Sequence, residues 1–364
     1  MMSNIDDTSL PMLQQKKKST KETKTTDFRV VIDADGELCL AVGEESTVSF
    51  VVCPRTLARA SPVWKKLLYG GFAESVRPND GNEWVIELPE DNPKAMEVFL
   101  NIIHSYFDKI PASVHFPKGP IPAGATSFKD LYRLAVLTDK YDLTRLLQPW
   151  ARGWVKDIET YDPFNTNKWH DEGDMALLPW VAWEFGCEAL FRKAVKYLCL
   201  HCITDPNGDL RRQRISCESP PLFYYALEPG SLSAVIKTNR LQIIAEMLGP
   251  VKDAAMLLLE ETECCHSPKQ NCSATMLGTM VKLLTPAGLY PVPEPERIHI
   301  SVIELASKLK PLDSMKNYYD HTSLSSIKLL GTRIADKIVS VDPQLEDFYV
   351  QHLAAQSKKI GLSS

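Results

Sequence analysis

The stretch L-A-R-A-S-P-V-W (57–64) places a proline in the middle of an apolar pattern with helical spacing. A proline inside a helix removes a hydrogen bond and clashes with the preceding turn, so one continuous helix is disfavoured here. Ser61 can instead cap a second helix whose first residue is Pro62. The sequence therefore predicts two short successive helices, the second of which ends at Gly70-Gly71.

Apolar segments of strand type lie before these helices. Residues 29–42 contain Asp35-Gly36, a dipeptide typical of hairpin turns. Residues 44–46 form a polar break, after which Val48, Phe50 and Val52 follow one another at alternate positions. We expect a β-hairpin that ends near residue 53, where the first helix begins.

A further strand and several helices follow the helix pair. Residues 84–88 alternate as in a strand, and Asn92-Pro93 repeats the pattern of a cap followed by a proline before an apolar helix. Four prolines and two glycines in residues 111–127 predict an exposed loop. After it a helical face resumes at Phe128, and Asp142 is placed to cap another helix that includes Trp150.

Three stretches in this order resemble a BTB/POZ domain, most closely the BTB-domain proteins of filamentous fungi. They are L-A-R-A-S-P-V-W, E-L-P-E-D-N-P-K-A-M-E-V-F-L-N-I-I-H (87–104) and L-A-V-L-T-D-K-Y-D-L (134–143). The resemblance covers about residues 27–151. It implies an α+β domain in which a small mixed sheet is flanked by helical hairpins.

The same resemblance implies that the chain works through contacts with other proteins, commonly as a homodimer and in some members by recruiting a cullin scaffold. Cullin-recruiting members carry a hydrophobic-x-Glu triplet after the second helix, and Phe72-Ala73-Glu74 occupies that position. An exposed aromatic ring could anchor a partner; alternatively, Phe72 closes the helix against the core. Cys53, where many members have histidine, and loop 111–127 depart from the family pattern and leave the dimer and cullin contacts open.

The rest of the chain divides into a tail and a helical region. Residues 1–26 are polar and contain five lysines, which predicts a disordered basic tail; a nuclear-localisation signal is the alternative. We place the BTB/POZ domain, including loop 111–127, at residues 27–155, and a mainly α-helical C-terminal domain at residues 163–360. Gly249-Pro250 is expected to break or kink a long helix in that domain.

Two groups of cysteine and histidine have the ligand types that zinc selects. The first is Cys264, Cys265, His266 and Cys272, and the second is Cys199, His201, Cys202 and Cys217. Neither contains the C-x2-C spacing of a zinc knuckle, and the side chains of adjacent cysteines diverge. We keep the first group as weak metal candidates, with loop or buried thiols as the alternative, and predict no cofactor.

The sequence contains no motif that indicates an enzyme. It lacks G-x-S-x-G, G-x-x-x-x-G-K-[ST], H-E-x-x-H and G-x-G-x-x-G. His104 is interpreted as a semi-buried or surface residue of a helix, and Glu90-Asp91 as acids that favour the start of a helix rather than an acid/base pair.

Composition limits the partners and the location. With 44% hydrophobic and 24% charged residues, the chain falls in the range of soluble globular proteins, and it has no apolar stretch long enough for a membrane span. Its net charge of -5 does not favour direct binding of nucleic acid. We predict a non-enzymatic, self-associating adaptor of the cytoplasm and/or nucleus. The alternatives are a substrate adaptor of a cullin ubiquitin ligase and a BTB-type transcription regulator.

Overall fold

The computed structural model describes residues 28–44, 47–78, 81–116, 120–164, 175–213, 219–260, 272–317 and 329–362. The tail predicted at residues 1–26 lies outside them. Within the described residues the chain is a mixed α+β protein in which a small sheet comes first and helices follow. The predicted α+β class with a helical C-terminal region is confirmed at that level.

The main sheet of the described residues has the strand order β1-β3-β2-β4. Its strands are β1 (Phe28–Val31), β2 (Leu38–Val42), β3 (Val48–Val52) and β4 (Trp84–Leu88). β2 and β3 are antiparallel, with Leu40 opposite Phe50, so the hairpin expected to end near residue 53 is confirmed. β1 runs parallel to β3 and β4 parallel to β2, which makes the sheet mixed.

The turn signal at Asp35-Gly36 does not join strands that pair with each other. The chain does turn there, since Gly36 N–H donates to the Asp33 carbonyl oxygen at 3.1 Å. However, β1 pairs with β3 rather than with β2. A turn dipeptide encodes a local bend only, whereas the pairing of β1 depends on contacts distant in sequence, so this part of the hairpin interpretation was wrong.

Five α-helices accompany the sheet in the described part of the first half. They are α1 (Pro54–Ala60), α2 (Pro62–Tyr69), α3 (Pro93–Ile103), α4 (Phe128–Lys140) and α5 (Gln148–Tyr161). Ser61 Oγ accepts a hydrogen bond from Trp64 N–H at 3.0 Å and donates to the Tyr141 carbonyl oxygen at 2.6 Å. Asn92 Oδ1 accepts from Ala95 N–H at 3.1 Å. Both predicted caps are confirmed, and Ser61 also fixes α2 against the end of α4.

Asp142 is not a helix cap. Its backbone is left-handed, with φ of 50°, and a 3₁₀-helix (Thr144–Leu147) lies between it and α5. The predicted cap was wrong because the bend after α4 needs a residue that tolerates positive φ, a role that aspartate also fills.

The proline-rich segment 111–127 is partly structured. It contains two short parallel strands, β5 (Ser113–His115) and β6 (Ala125–Ser127), although residues 117–119 are not described. Its backbone is tied to α5, because Trp154 Nε1 donates to the Pro111 carbonyl oxygen at 3.0 Å and Val114 N–H donates to Asp157 Oδ2 at 2.9 Å. The prediction of a plain exposed loop was therefore wrong for its ends.

The second half is mainly helical, with one short strand pair among its described residues. Its elements are α6 (Leu178–Glu184), α7 (Glu188–His201), β7 (Ile203–Thr204), β8 (Leu210–Arg211), α8 (Leu232–Glu260), α9 (Cys272–Leu284), α10 (Val302–Leu309), α11 (Leu330–Ser340) and α12 (Asp347–Ile360). Of the break or kink expected at Gly249-Pro250, the break is excluded, because α8 continues through Pro250. Met247, Leu248 and Val251 are buried on both sides of the proline, and this packing holds the helix together.

The buried side chains of the two halves form one continuous cluster. The rings of Trp154 in α5 and Phe185 after α6 lie 6.2 Å apart, and α12 packs on the 3₁₀-helix 144–147, α5, α6 and α7. The boundary expected at residue 155 lies inside α5. No helix in the described ranges is both long and apolar enough to cross a bilayer.

Candidate protein-docking surface

Residues 69–76, called the docking segment below, carry three large apolar side chains at the surface. Tyr69 is 50% exposed, Phe72 46% and Val76 68%. Glu74 is exposed between them. Three exposed apolar side chains within eight residues, with an acid among them, make this segment a candidate contact site.

Hydrogen bonds fix the backbone of the docking segment. The Phe72 carbonyl oxygen accepts from both Ser75 N–H at 3.0 Å and Ser75 Oγ at 2.6 Å, which closes a 3₁₀-turn over Ala73–Ser75. Trp84 Nε1 of β4 donates to the Glu74 carbonyl oxygen at 2.8 Å. The side chains of Phe72 and Glu74 therefore leave from a backbone that is held in one conformation.

Arg77 secures the end of the same segment. Its guanidinium lies 4.8 Å from the centre of the Trp84 ring and donates to Glu37 Oε2 at 2.6 Å. The interpretation in which Phe72 closes α2 against the core is wrong, because Phe72 lies at the surface and α2 ends at Gly70, whose N–H donates to the Lys66 carbonyl oxygen. Nearly half of the Phe72 side chain is accessible to solvent.

The edge of the sheet offers a second contact surface. In the described part of the chain, β1 has a strand neighbour on one side only, β3. Phe28 on β1 is 71% exposed, and Val31 is exposed as well. An edge strand with apolar side chains can accept a strand from another chain.

The metal candidates do not form a site in the described residues. Cys264, Cys265 and His266 lie outside them, and nothing is described of the Cys272 side chain. No group of three metal-ligating side chains occurs in the ranges that the structure covers. The first set therefore stays a prediction.

The described members of the second set are packing groups. Cys199 and Cys202 are buried, and burial raises the pKa of the Cys202 thiol to about 11 and that of Cys199 further still. His201 Nδ1 lies 2.9 Å from the Tyr197 carbonyl oxygen, and the two rings stack at 3.9 Å. These thiols stay protonated at neutral pH, and Cys217 is outside the described residues.

His104 and Asp91 both have structural partners. His104 Nδ1–H donates to the Leu100 carbonyl oxygen at 2.9 Å, while Nε2 accepts from Cys53 N–H at 3.3 Å; burial lowers the pKa of this histidine. Asp91 accepts from Tyr141 Oη at 2.6 Å and from Lys140 Nζ at 2.7 Å. A neutral histidine and a paired carboxylate connect elements of the fold here.

Sequence reasoning missed a buried acid, Glu184. It is fully buried, and its carboxyl oxygens accept hydrogen bonds from Thr144 and from Gln356 (3.0 Å). Thr138 Oγ1, which donates to the Ala135 carbonyl oxygen, lies 3.3 Å from Oε1. Burial, the largest cause, raises the pKa of Glu184 to about 8. The available signal was a lone acid in the apolar run L-L-P-W-V-A-W-E-F (177–185).

No protein-family model matches this chain. No curated protein is significantly similar to it in sequence.

Proposed function

We propose that this protein is a non-enzymatic adaptor that acts through protein–protein contacts, with a BTB/POZ-type module at residues 27–155. The observation that carries the proposal is the docking segment, where Phe72 is exposed on a backbone that Trp84 holds in place. The resemblance of stretches 57–64, 87–104 and 134–143 to BTB/POZ domains supports the same class of function.

The docking segment has the energetic properties of an anchor site. Burying a whole phenylalanine side chain contributes about 1.5–3 kcal/mol, and nearly half of Phe72 is still accessible for burial by a partner. A backbone that is already fixed loses little conformational freedom on binding. The carboxylate of Glu74, two residues away, adds orientation and discrimination more than affinity.

Self-association is the first form of contact that we propose. The apolar side chains of Phe28 and Val31 at the edge strand β1 support it, because pairing with a second chain would cover them. A full-length protein whose mass in light scattering is that of an oligomer at micromolar concentration supports this form; a strictly monomeric mass contradicts it.

Recruitment of a cullin scaffold is the second form, and the simultaneous exposure of Phe72 and Glu74 favours it. Co-purification of the full-length protein with a cullin tests it. The substitutions Phe72→Ala and Glu74→Ala together are expected to abolish recovery of the cullin.

The chain offers a matched control for that experiment. Phe107 and Asp108 are also exposed in a short 3₁₀-turn (Phe107–Lys109). Phe107→Ala with Asp108→Ala should leave cullin recovery unchanged. Equal recovery of a cullin with the unmodified chain and both double variants, or no recovery with the unmodified chain, contradicts the cullin proposal. Self-association is tested separately, by the molar mass from light scattering.

A further inference from the structure

The carboxyl group of Glu184 is enclosed where α4, α6, α12 and the 3₁₀-helix 144–147 meet. Thr144 of the 3₁₀-helix donates to Oε1, and Gln356 of α12 donates to Oε2 at 3.0 Å. Thr138 Oγ1 of α4 donates its hydrogen to the Ala135 carbonyl oxygen at 3.0 Å and lies 3.3 Å from Oε1, so it can accept the proton of a neutral Glu184. All three partners are neutral. None of the ion pairs among the described residues includes Glu184, so direct contact with a cation does not offset the cost of a buried negative charge.

The charged groups further from Glu184 have opposite effects on its pKa. Asp139 on α4 repels a charge on Glu184, and Lys359 on α12 attracts it. Asp142, in the bend after α4, acts on Asp139, whose pKa is raised mainly by its own burial. His352 on α12 also faces Lys359, and burial lowers its pKa, so it stays neutral beside the cluster. The hydrogen bond from Thr144 favours the ionised form, but burial is the larger effect and favours the neutral acid.

The same corner holds α12 in place. The His352 ring stacks on Trp183 at 3.5 Å, and Gln356 bonds to Glu184, the next residue of α6. One turn later, Arg152 Nη2 of α5 donates to the Gly361 carbonyl oxygen at 3.3 Å. The inner face of α12 thus rests on two adjacent residues of α6, one of which is the buried acid.

We propose that α12 is a pH-sensitive latch, docked on α6 and the 3₁₀-helix 144–147 while Glu184 carries a proton and released when Glu184 ionises. α12 is the element that moves because its outer face is exposed at Gln351, Ala354 and Lys358, whereas α6 is buried along its whole length. Displacing α12 removes Gln356 and admits water to the carboxylate. This property is independent of the docking segment and goes beyond the proposed adaptor function.

The direction of the pH dependence follows from burial. A glutamate that is open to water ionises near pH 4.5, whereas docked Glu184 keeps its proton up to about pH 8. Between these values the released form loses its proton and the docked form does not, so docking weakens as the pH rises. The ratio of released to docked α12 grows by about tenfold per pH unit across this window and levels off above it.

Hydrogen exchange of the full-length protein measures this ratio. We expect the amide protection of residues 347–360, corrected for the intrinsic exchange rate, to fall by about tenfold per pH unit and to level off above about pH 8. Glu184→Gln, which cannot ionise, should give protection that does not change with pH. Glu188→Gln removes an exposed acid at the start of α7 and should keep the slope of the unmodified chain.

A second measurement does not depend on that variant folding. The infrared carbonyl band of a protonated carboxyl group in the unmodified protein should disappear with a midpoint near pH 8. Lys359→Met removes an attractive cation and should move the midpoint upward, and Asp139→Asn removes a repelling anion and should move it downward. Protection of α12 that is constant with pH in the unmodified chain, or the same slope in Glu184→Gln, overturns the proposal.

Discussion

The indole nitrogen of Trp84 donates a hydrogen bond to the backbone carbonyl oxygen of Glu74 at 2.8 Å. Trp84 begins the edge strand β4 and is buried, whereas Glu74 lies in the exposed docking segment. This hydrogen bond ties the backbone of the docking segment to the sheet. A substitution that removes the bond therefore tests whether it holds the segment in one conformation.

Replacing Trp84 by phenylalanine should loosen the docking segment without removing any of its exposed side chains. The lost hydrogen bond contributes about 1 kcal/mol, so faster amide exchange of Ser75 and Val76 is expected, together with weaker partner binding. Exchange measured by mass spectrometry, with the partner assay beside it, checks this. Unchanged exchange in the variant would show that the Trp84 bond does not hold the segment.

Tyr141 should be important for stability through its bond to Asp91. The hydroxyl donates to a buried carboxylate at 2.6 Å, and hydrogen bonds to charged groups contribute about 1.5–3 kcal/mol. Tyr141→Phe should lower the free energy of unfolding in urea by about that amount. Tyr69→Phe, at an exposed position, is the control and should change it by less than about 0.5 kcal/mol.

Buried histidines should make the fold less stable in acid. Burial lowers the pKa of His104, His201 and His352, so the folded protein takes up protons less readily than the unfolded chain. Stability contributed by the neutral rings is complete above pH 6.5, the ordinary value for histidine, and is lost as the pH falls below it.

Urea unfolding at neutral and at mildly acidic pH, compared between variants, distinguishes the contribution of the histidines to this loss of stability from that of the carboxylates. His104→Gln should reduce the loss of stability between neutral and mildly acidic pH, since an amide oxygen can still accept from Cys53 N–H and does not titrate. His299→Gln, at an exposed site, should leave that loss unchanged. An equal loss in all three proteins would show that His104 titrates normally in the folded chain.

The cysteine-rich groups should not hold stoichiometric zinc. Elemental analysis of the purified full-length protein is expected to give well below one equivalent, and a chelator should leave the melting temperature unchanged. Burial of Cys199 and Cys202, whose pKa values are raised, also predicts slow reaction with thiol reagents. One equivalent of zinc, lost on substitution of Cys264 and Cys265, would contradict the expectation and favour the alternative of a transcription regulator, in a form that depends on a metal.

The sequence predicted the helix starts and the hairpin, whose formation depends mainly on residues close to one another in the chain. Ser61-Pro62 and Asn92-Pro93 specify helix starts through their own hydrogen bonds and fixed φ, and both form as expected. The antiparallel β2–β3 hairpin is similarly local. These features need no knowledge of the rest of the chain.

Features that depend on distant contacts were missed. β1 could pair with any of several strands, and local sequence does not specify β3 as its partner. Pro250 is accommodated within α8 because side chains on both sides of it are buried. The environment of Glu184 includes Gln356, 172 residues away, which periodicity cannot reveal. In the candidate site, the sequence suggested Phe72 and Glu74 as contact residues. It did not reveal the hydrogen bond from Trp84 that holds the backbone of Glu74.

The molar mass of the full-length protein in solution tests the central claim, a self-associating interaction module, most directly. Light scattering across a micromolar concentration range should give a multiple of the 40.9 kDa of one chain. A mass of one chain at every concentration would contradict the claim.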